Sequence, residues 1–340
     1  MTFSKTLTQW YLQNKRDLPW RNSISPYHIW LSEIILQQTR VAQGTPYYLS
    51  FIAEFPTVFD LANATEQQVL KLWQGLGYYS RARNLHKTAQ HIAFNQKGEF
   101  PKNYAALLQL AGIGDYTAAA IASFAYNERV PVVDGNVFRV LARYIGIEED
   151  IAHAKTRKTF QTVALDLMAN AQPNVFNQAI MEFGAIQCVP KSPNCNGCPL
   201  NGSCYALKFN KVNVLPVKAK KAKATTKHFN YLIYVDDHQN SPIVQRTEKG
   251  IWQNLYQFPL IESENELDDI GNPTFYLNQI VDIECLNQFP IIHKLTHQHL
   301  NIKFWRVAVR GRIDGAKSFS DIKTYPFPIV IHNFLETFTL

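Results

Sequence analysis

An acidic residue inside an apolar stretch is the first group in the sequence that could do chemistry. Glu33 stands beside Ile34, Ile35 and Leu36, and the apolar residues around it recur with helical spacing. A carboxyl that is half-buried in such surroundings has a raised pKa and can act as a general acid near neutral pH. The residues alone leave open a surface glutamate on an amphipathic helix.

Four cysteines in one short window form a second candidate site. Their spacing, C-x6-C-x2-C-x5-C, indicates a metal centre, either structural zinc or an iron–sulfur cluster. Zinc ribbons usually have two close C-x2-C pairs, and this window has one. A pair of disulfides is the other interpretation, which an intracellular setting disfavours. The four residues are Cys188, Cys195, Cys198 and Cys204, whereas Cys285 stands apart and is expected in a core.

Two glycines one residue apart separate two helical stretches. Gly112 and Gly114 predict a tight turn, and the alanine-rich run at 117–125 predicts the helix that follows. The free N–H groups at the start of that helix offer a site for a phosphate oxygen. Farther on, Asp134 precedes a Gly-Asn pair and is a natural N-cap for the next helix. A simple helix–turn–helix connection with a capping aspartate is the alternative interpretation.

The hydrophobic periodicity changes once along the chain. Residues 1–210 read as consecutive amphipathic helices with short polar breaks, with no convincing strand before residue 215. From His228 the pattern alternates between apolar and polar residues, which predicts strands, with helices expected around 274–286 and near the C-terminus. Before the turn, further helices are expected over 41–54, 65–75, 80–95 and 103–110, and after it over 137–145, 154–170 and 173–187.

The charge distribution favours a polyanionic partner for the first part of the chain. The net charge is +7, and the basic surplus lies before residue 228, including five lysines in 216–227. Such a surplus is expected where a protein meets a phosphate backbone, although many basic proteins bind no nucleic acid. With 46% hydrophobic residues, no signal-peptide core and no apolar run near a bilayer span, we expect a globular cytoplasmic protein.

The region around Glu33 carries a family resemblance. Residues 30–40, reading WLSEIILQQTR, resemble the "SE(I/V)MLQQTQV" stretch of the MutY family of adenine DNA glycosylases. The glycine turn with Tyr116, the segment 134–136 and the cysteine loop also match this helix-hairpin-helix base-excision superfamily in order and spacing. The resemblance covers nearly the whole chain and implies a DNA repair enzyme, bacterial and nucleoid-associated, with a 4Fe-4S cluster on the four cysteines.

The resemblance also implies the domain organisation. We expect an all-α helix-hairpin-helix glycosylase domain over 1–213, which includes the iron–sulfur loop 188–204. A basic linker over 214–227 and an α+β Nudix-like mismatch-recognition domain over 228–340 follow. In the last domain, residues 250–259 resemble the "GLW…L…FP" stretch of Nudix-like domains. The glutamate-rich helix that holds magnesium in Nudix hydrolases is missing from the sequence, so pyrophosphatase activity is not expected.

Family membership implies a reaction and roles for four residues. The enzyme would flip adenine out of a mispair with 8-oxoguanine or, more weakly, guanine, and hydrolyse its N-glycosidic bond. Glu33 would protonate the adenine ring, and Asp134 would stabilise the cationic sugar or add to it transiently. Tyr116 and Asn136 would contact these carboxylates and position them.

The absence of one residue type helps to choose within the superfamily. Glycosylases that also cut the strand use a lysine just after the glycine turn to form a Schiff base with the sugar. Tyr116 occupies this position, and no lysine occurs between Lys102 and Lys155. The sequence therefore predicts a monofunctional glycosylase.

Several further positions match DNA-contacting residues of the family. Gln38 and Tyr78 resemble the residues that intercalate into the base stack, although Tyr78 could equally be a core aromatic. The cluster is expected to order a DNA-binding loop around Lys191 and to have no catalytic duty. The remaining expected phosphate contacts are Arg81, Arg83, Gly112 and Gly114.

A histidine-rich stretch resembles the family loop that reads 8-oxoguanine. Residues 293–299, HKLTHQH, correspond to the "H-x-F-S-H" loop, with Leu295 in place of Phe, Thr296 in place of Ser, and His297 retained. Threonine keeps the hydroxyl, and leucine loses an aromatic face. A metal site is the alternative for this stretch.

The expected partner is double-stranded DNA containing adenine opposite 8-oxoguanine or guanine, bound by a monomer with no role for a membrane. Two rival functions remain. One is an endonuclease III-like glycosylase that cuts strands at oxidised pyrimidines, and Tyr116 and the additional C-terminal domain argue against it. The other is a non-catalytic DNA-binding or redox-sensing iron–sulfur protein, against which the pairing of Glu33 with Asp134 argues.

Overall fold

The computed structural model describes residues 2–219, 224–277 and 279–338. They form two compact units. The first, which we call the helical unit, contains residues 2–63 and 84–219, and the second, the sheet unit, contains residues 64–83 and 224–338. A segment of 20 residues from the first third of the chain thus folds with the C-terminal sheet.

The helical unit consists of helices joined by short turns, as the periodicity predicts. α6 begins in the sheet unit and continues into this one, and turns of π-helix follow α6 and α9. The helices are α1 (Phe3–Asn14), α2 (Pro26–Leu36), α3 (Val41–Glu54), α4 (Val58–Asn63), α6 (Ser80–Gln90), α7 (Tyr104–Leu107), α8 (Asp115–Tyr126), α9 (Gly135–Leu141), α10 (Ala154–Met168), α11 (Pro173–Ile186) and α12 (Tyr205–Lys208).

The main core of this unit lies between α1, α9, α10 and α11. Leu7, Val140, Phe160, Phe176 and Ile180 are buried there. Their spacing within each helix follows the 3.6-residue period, so that each helix presents one apolar face to the same centre. This packing fixes α9 and α11, whose ends reach the functional site described below.

The sheet unit is built on two long central strands. It contains α5 (Glu66–Leu72), β1 (Thr225–Val235), β2 (Val244–Gln245), β3 (Tyr256–Gln257), β4 (Leu260–Ser263), β5 (Ile280–Cys285), β6 (Ile291–Lys294), β7 (Gln298–Val309), α13 (Phe319–Ile322) and α14 (Ile329–Thr337). The main sheet has the order β4-β1-β7-β5, with β6 also pairing with β7, and β2 pairs with β3 separately. β1 and β7 are parallel, and the other pairs are antiparallel.

Of the two helices expected in the C-terminal part of the chain, one is absent and one is present. The helix predicted around 274–286 is wrong, because residues 280–285 form β5, which pairs with β7. The side chains of Ile280, Ile283 and Cys285 pack on the sheet core, and a register shift between Ile280 and Asp282 breaks the strict alternation that would have indicated a strand. The helix expected near the C-terminus is confirmed as α14.

The predicted linker begins as irregular chain and ends as strand. β1 starts at Thr225, so the last residues of the predicted linker belong to the sheet. Residues 220–223 of that linker lie outside the described part of the chain. The two-domain fold, an all-α domain followed by an α+β domain, is confirmed. None of the described helices is both long and apolar enough to cross a membrane.

Candidate active site

Glu33 lies on α2, a helix that is buried on nearly all sides. The helix begins at Pro26, whose fixed φ suits the first turn. The Glu33 side chain is only 6% exposed. Burial raises the pKa of Glu33 to about 7, and the negative charge of Asp134 contributes to the rise, whereas a hydrogen bond from Tyr116 and the charge of Arg21 oppose it. A carboxyl with this pKa is partly protonated at neutral pH and can donate a proton.

The backbone of the turn before α8 requires glycine at one of its two glycine positions. Gly112 has φ +73°, and a Cβ there would lie 2.6 Å from Cβ of Asn84. Any other residue would be strained at this position. Gly114 has φ −95° with open space around it, and it caps the N-terminus of α8. Both glycines are exposed, so the N-terminus of α8 is accessible to a ligand.

The turn places Tyr116 in the first turn of α8, within reach of Glu33. The Tyr116 hydroxyl donates to Oε2 of Glu33 at 2.5 Å. Burial, together with the charges of Glu33 and Asp134, raises the pKa of Tyr116 well above its usual value. The phenol therefore stays protonated and acts only as a donor toward the carboxyl.

Asp134 is the N-cap of α9, as its position in the sequence predicts. Its Oδ1 accepts from the backbone N–H groups of Asn136 at 2.9 Å and Val137 at 2.8 Å. Its Oδ2 accepts from Nδ2 of Asn136 at 2.8 Å. Burial raises the pKa of Asp134, and these three hydrogen bonds and the charge of Arg139 oppose the rise. The hydrogen bonds also fix the direction in which the carboxylate points.

A chain of hydrogen bonds continues from Asp134 to the cysteine loop. The Asn136 Oδ1 accepts from the Arg139 guanidinium at 2.8 Å, and Arg139 Nε donates to the carbonyl oxygen of Cys188 at 2.7 Å. Gly184 allows this arrangement, because a Cβ there would lie 2.7 Å from Cβ of Asn136. The orientation of Asp134 therefore depends on side chains of α9 and on the close approach of α11.

One cavity of about 650 Å³ brings the four predicted catalytic residues together. Its volume suits a small ligand such as a purine base. None of the described residues that line it is a lysine. The polar residues that line it include Glu33, Tyr116, Asp134, Asn136, Arg16, Arg21, Arg40, Arg139, Gln178 and Glu182.

An ion-pair cluster in the cavity wall was missed by the sequence reasoning. The Glu182 side chain is 1% exposed. Its carboxylate accepts hydrogen bonds of 2.7–2.9 Å from the N, Nε and Nη2 atoms of Arg16 and from Nη2 of Arg21. Burial alone would raise the pKa of Glu182, but the hydrogen bonds from both arginines outweigh it and lower the pKa to about 2. The signal that singled out Glu33, an acid within an apolar helix, is also present around Glu182 in α11.

The four clustered cysteines line a single cavity of about 30 Å³ between α9, α11 and the loop 188–204. The structure pairs none of the four in a disulfide, and all four are partly buried. Across residues 2–219, 224–277 and 279–338, no three His, Cys, Asp or Glu side chains are grouped to hold a single metal ion. Four thiols around one cavity are a donor set that suits a cysteine-ligated cluster.

A buried arginine, Arg143, binds this loop. Its guanidinium contacts Sγ of Cys188 at 3.4 Å and donates to the carbonyl oxygens of Val189 at 2.8 Å, Pro190 at 3.0 Å and Leu215 at 3.1 Å. Arg143 is 3% exposed, and these partners are neutral carbonyls and one sulfur. A buried cation of this kind is compensated if the neighbouring sulfurs are thiolates.

The two predicted intercalating residues share an unusual backbone conformation. Gln38 has φ +57° and Tyr78 has φ +49°. Both side chains are exposed, and that of Tyr78 is 48% exposed although it is a large aromatic. Non-glycine residues in the left-handed region are uncommon and are often found at functional positions. The interpretation of Tyr78 as a core aromatic is wrong, whereas its neighbour Tyr79 is buried.

The arginines predicted to contact phosphate have protein partners in the sheet unit. The Arg81 guanidinium lies 5.0 Å from the ring centre of Trp73 and donates to the carbonyl oxygen of Gly77 at 3.2 Å. Burial lowers the pKa of Arg81 to about 10. Arg83 donates to the carbonyl oxygen of Gln253 at 2.8 Å. Lys191, in the cysteine loop of the helical unit, is exposed.

The predicted recognition residues form the turn between β6 and β7. The Leu295 N–H donates to the carbonyl oxygen of Gln298 at 2.8 Å, which closes the turn and leaves Thr296 and His297 exposed. The hydroxyls of Thr296 and Tyr78 lie 2.5 Å apart. A cavity of about 450 Å³ is lined by both, together with Trp252.

Comparisons with known proteins identify families for both parts of the chain. Residues 31–164 match the HhH-GPD superfamily of base excision DNA repair proteins, and residues 230–337 match the NUDIX domain family. The adenine DNA glycosylase of Buchnera aphidicola from Acyrthosiphon pisum is 36% identical over 302 residues, which cover 88% of this chain and 85% of that protein. The adenine DNA glycosylase of Rattus norvegicus is 43% identical over 213 residues, 60% of this chain and 41% of that protein.

Solved structures share the fold of the helical part. A thermostable thymine-DNA glycosylase matches with a TM-score of 0.56 and 28% identity over 61% of this chain and 95% of its own. An endonuclease III–DNA covalent intermediate matches with a TM-score of 0.53 and 20% identity over 61% of this chain and 94% of its own, which shows a common fold. From the sequence identity over most of both chains, this protein belongs to the MutY family of adenine DNA glycosylases, base-excision repair enzymes that hydrolyse an N-glycosidic bond.

Proposed function

We propose that the enzyme excises adenine opposite 8-oxoguanine, and more slowly opposite guanine, by a monofunctional mechanism. The observation that carries the proposal is the single cavity that holds Glu33, hydrogen-bonded to Tyr116, together with Asp134. The glycosidic bond of a stacked base cannot be reached inside a duplex, so the adenine must be flipped into this cavity.

Glu33 acts as the general acid. Its pKa of about 7 leaves a substantial protonated fraction at neutral pH, and protonation of a ring nitrogen turns adenine into a neutral leaving group. As the C1′–N9 bond breaks, the bonding electrons go to the protonated base, and Glu33 is left as a carboxylate. The Tyr116 hydroxyl then stabilises that carboxylate, since it donates a hydrogen bond to Oε2.

Asp134 is the group that meets the positive charge left on the sugar. Its three hydrogen bonds at the start of α9 hold the carboxylate in one orientation before the substrate arrives. The carboxylate stabilises the oxocarbenium-like sugar, or adds to it transiently, until water forms the new bond to C1′ and gives up a proton to a carboxylate of the cavity. Asn136 positions Asp134 and does not itself react.

The residues at the cavity support hydrolysis without strand cleavage. A Schiff base needs an amine, and a tyrosine hydroxyl stands where strand-cutting relatives of the superfamily have lysine. None of the described residues that line the cavity is a lysine. The abasic product would therefore leave with its phosphodiester backbone intact.

We also propose that the four cysteines hold a 4Fe-4S cluster. The fit rests on four thiols around one cavity, with Arg143 as a buried counter-charge. When bound, the cluster supplies a rigid cross-link of the loop 188–204 rather than a chemical step. Arg139 and Arg143 fasten the same loop to α9 from the protein side.

The turn between β6 and β7 is proposed to read the base opposite adenine. Thr296 offers a hydroxyl that can donate and accept, and it is already paired with the exposed Tyr78. The adjoining cavity of about 450 Å³ is large enough for a base that lies against Trp252. Leu295 is partly buried in the turn, so its replacement of an aromatic residue changes packing more than polarity.

The test of the proposed function is a single-turnover assay on duplexes with adenine opposite 8-oxoguanine or guanine, analysed with and without alkali. Strand breaks that appear only after alkali, and faster opposite 8-oxoguanine, are the expected result. A duplex with an oxidised pyrimidine and borohydride trapping serve as controls. A trapped covalent adduct, or breaks without alkali, would place the enzyme among the strand-cutting glycosylases.

A variant of Arg143 tests the cluster assignment. Arg143→Gln should weaken the binding of the cluster about 10- to 100-fold, because it removes both the buried counter-charge and most of the hydrogen bonds to the loop 188–190. Loss of the cluster is followed by the iron content and the visible iron–sulfur absorbance of each protein after dilution into buffer that contains a chelator. Arg143→Lys keeps the charge and should lose less iron than the glutamine variant. Equal iron retention in all three proteins would contradict this role.

A further inference from the structure

The segment 64–83 folds with the sheet unit, although the family match that begins at residue 31 runs through it. It contains α5 and the turn Gly75–Tyr78, which ends in the exposed aromatic side chain of Tyr78. Two side chains of this segment bind main-chain groups near the C-terminus. Neither contact includes Tyr78 or Thr296, the two residues proposed to contact the base opposite adenine.

Lys71 makes the first of these contacts. Its ammonium group donates to the carbonyl oxygens of Lys323 at 2.6 Å and Tyr325 at 3.2 Å, just after α13. Hydrogen bonds from a charged donor are stronger than neutral ones, and carbonyls beyond a helix end attract a cation. Lys71 is half-buried, so water competes weakly for these acceptors.

Gln74 makes the second contact, one residue before the turn. Its Oε1 accepts from the backbone N–H of Phe327 at 3.0 Å, and Phe327 is itself buried. Lys71 and Gln74 lie one helical turn apart, and together they hold the end of α5 against residues 323–327. The turn that follows therefore starts from a fixed point.

Contacts inside the segment transmit that position to Tyr78. The buried Trp73 donates through Nε1 to the carbonyl oxygen of Gly77 at 3.0 Å, and Arg81 donates to the same oxygen at 3.2 Å. The Arg81 guanidinium also lies 5.6 Å from the ring centre of Tyr78. Gly75 and Gly77 both have positive φ, and these contacts tie the turn to the end of α5, so the position of α5 sets where the Tyr78 hydroxyl meets Thr296.

We propose that Lys71 and Gln74 are positioning residues for opposite-base specificity, which fix the Gly75–Tyr78 turn so that the hydroxyls of Tyr78 and Thr296 meet the base as one pair. The inference rests on the proposed recognition of 8-oxoguanine by that turn. Displacement of a reading group by a fraction of an ångström costs discrimination, whereas the carboxylates of the helical unit stay as they are.

The experiment compares single-turnover excision opposite 8-oxoguanine with excision opposite guanine. Lys71→Met and Gln74→Leu should each lower the ratio of the 8-oxoguanine rate to the guanine rate about tenfold. The change should come mainly from a decrease in the rate opposite 8-oxoguanine. Lys71→Arg, which can donate to the same carbonyls, should restore most of the ratio. The matched control is Lys323→Met, since Lys71 binds the main-chain carbonyl of residue 323, which this variant keeps, whereas the Lys323 side chain pairs with Glu336.

Each outcome decides between distinct claims. A wild-type enzyme with no preference for 8-oxoguanine would refute the proposed recognition itself. A wild-type preference that survives in Lys71→Met and Gln74→Leu would refute only the positioning role. Rates that fall by the same factor on both duplexes, together with a lower melting temperature, would show a structural role and would also overturn the proposal.

A second readout does not depend on catalysis. With the acid removed by Glu33→Gln, fluorescence of 2-aminopurine placed beside 8-oxoguanine reports unstacking when the protein binds. The increase should be smaller when Lys71→Met is added and unchanged when Lys323→Met is added. An equal increase in both double variants would contradict the role of Lys71.

Discussion

Glu33→Gln is expected to slow adenine excision by at least about 100-fold while it stabilises the fold at pH 8. General acid catalysis contributes about 10² to 10⁴ in rate, and glutamine has no proton of suitable acidity to donate. The amide keeps an oxygen that accepts from Tyr116, so the hydrogen bond at 2.5 Å has a counterpart in the variant. Binding of the duplex should therefore survive.

The gain in stability follows from the raised pKa. Glu33 has an ordinary pKa of 4.5 in the unfolded chain and about 7 in the fold, so the folded state binds more protons between these values. The free energy of unfolding then falls as the pH rises from about 4.5 to about 7, by on the order of 3 kcal/mol for this group. Below pH 4.5 the carboxyl is neutral in both states, so the stability is highest there with respect to this group and no longer changes with its titration.

Denaturant unfolding of wild type and Glu33→Gln at pH 4, 6 and 8 measures the effect, alongside single-turnover rates. The stability difference should be close to zero at pH 4 and favour the variant at pH 8. A constant difference across these pH values would mean that Glu33 titrates normally. A variant that still excises adenine at the wild-type rate would remove Glu33 from the role of acid.

The same pKa sets the pH dependence of the reaction. Protonated Glu33 is the active form, so the rate should fall as the pH rises through about 7. The hydrogen bond from Tyr116 lowers the pKa of Glu33, and Tyr116→Phe should therefore move this fall to higher pH, even if the maximum rate is smaller. A fall at lower pH than in wild type would contradict the donor role of the hydroxyl.

The sequence predicted residues that lie in local patterns and missed those that depend on tertiary packing. The apolar helix around Glu33 indicated a raised pKa, and the family resemblance decided against a surface glutamate. The Gly-Asn pair after Asp134 indicated that this residue caps a helix. Both predictions concern one element each. The bounds of α3 were likewise predictable, because its periodicity and its polar ends lie within 14 residues.

The partners of Arg81 and Lys71 could not be predicted in the same way. The charge of Arg81 and its place beside a glycine turn indicated a phosphate contact, yet its guanidinium binds the turn that carries Tyr78. Lys71 binds the carbonyl oxygen of Lys323, which lies 252 positions farther along the chain. Main-chain acceptors leave no sequence signal, since every residue has a carbonyl group. The strand β5 was missed for a related reason, because its pairing with β7 outweighs its weak local pattern.

Glu182→Gln is expected to destabilise the protein by about 3–5 kcal/mol at neutral pH. The carboxylate is 1% exposed and takes hydrogen bonds from Arg16 and Arg21, so its neutralisation leaves two cations in the cavity wall without their counter-charge. The pKa of Glu182 is lowered to about 2, which means that the same contribution is lost in the wild type as the pH falls from about 4.5 toward 2.

The matched control for this prediction is Glu148→Gln in the same unit. Glu148 is also paired with a base, Lys211, but Glu148 is exposed and Lys211 is partly exposed, so water replaces the lost contact. Denaturant unfolding at pH 7 should show a large loss for Glu182→Gln and no clear loss for Glu148→Gln. Equal losses in the two variants would show that burial of the ion pair is not what matters.

Glu182→Gln should also change catalysis, because Arg21 acts on Glu33. The positive charge of Arg21 already lowers the pKa of Glu33, and Glu182 offsets part of that charge. Once Glu182 is neutral, the pKa of Glu33 should fall, and the loss of activity with rising pH should begin at a lower pH than in wild type. The ion pair in the wall thus keeps the acid protonated where it must act, and a pH–rate profile that is unchanged in a folded Glu182→Gln variant would break that link.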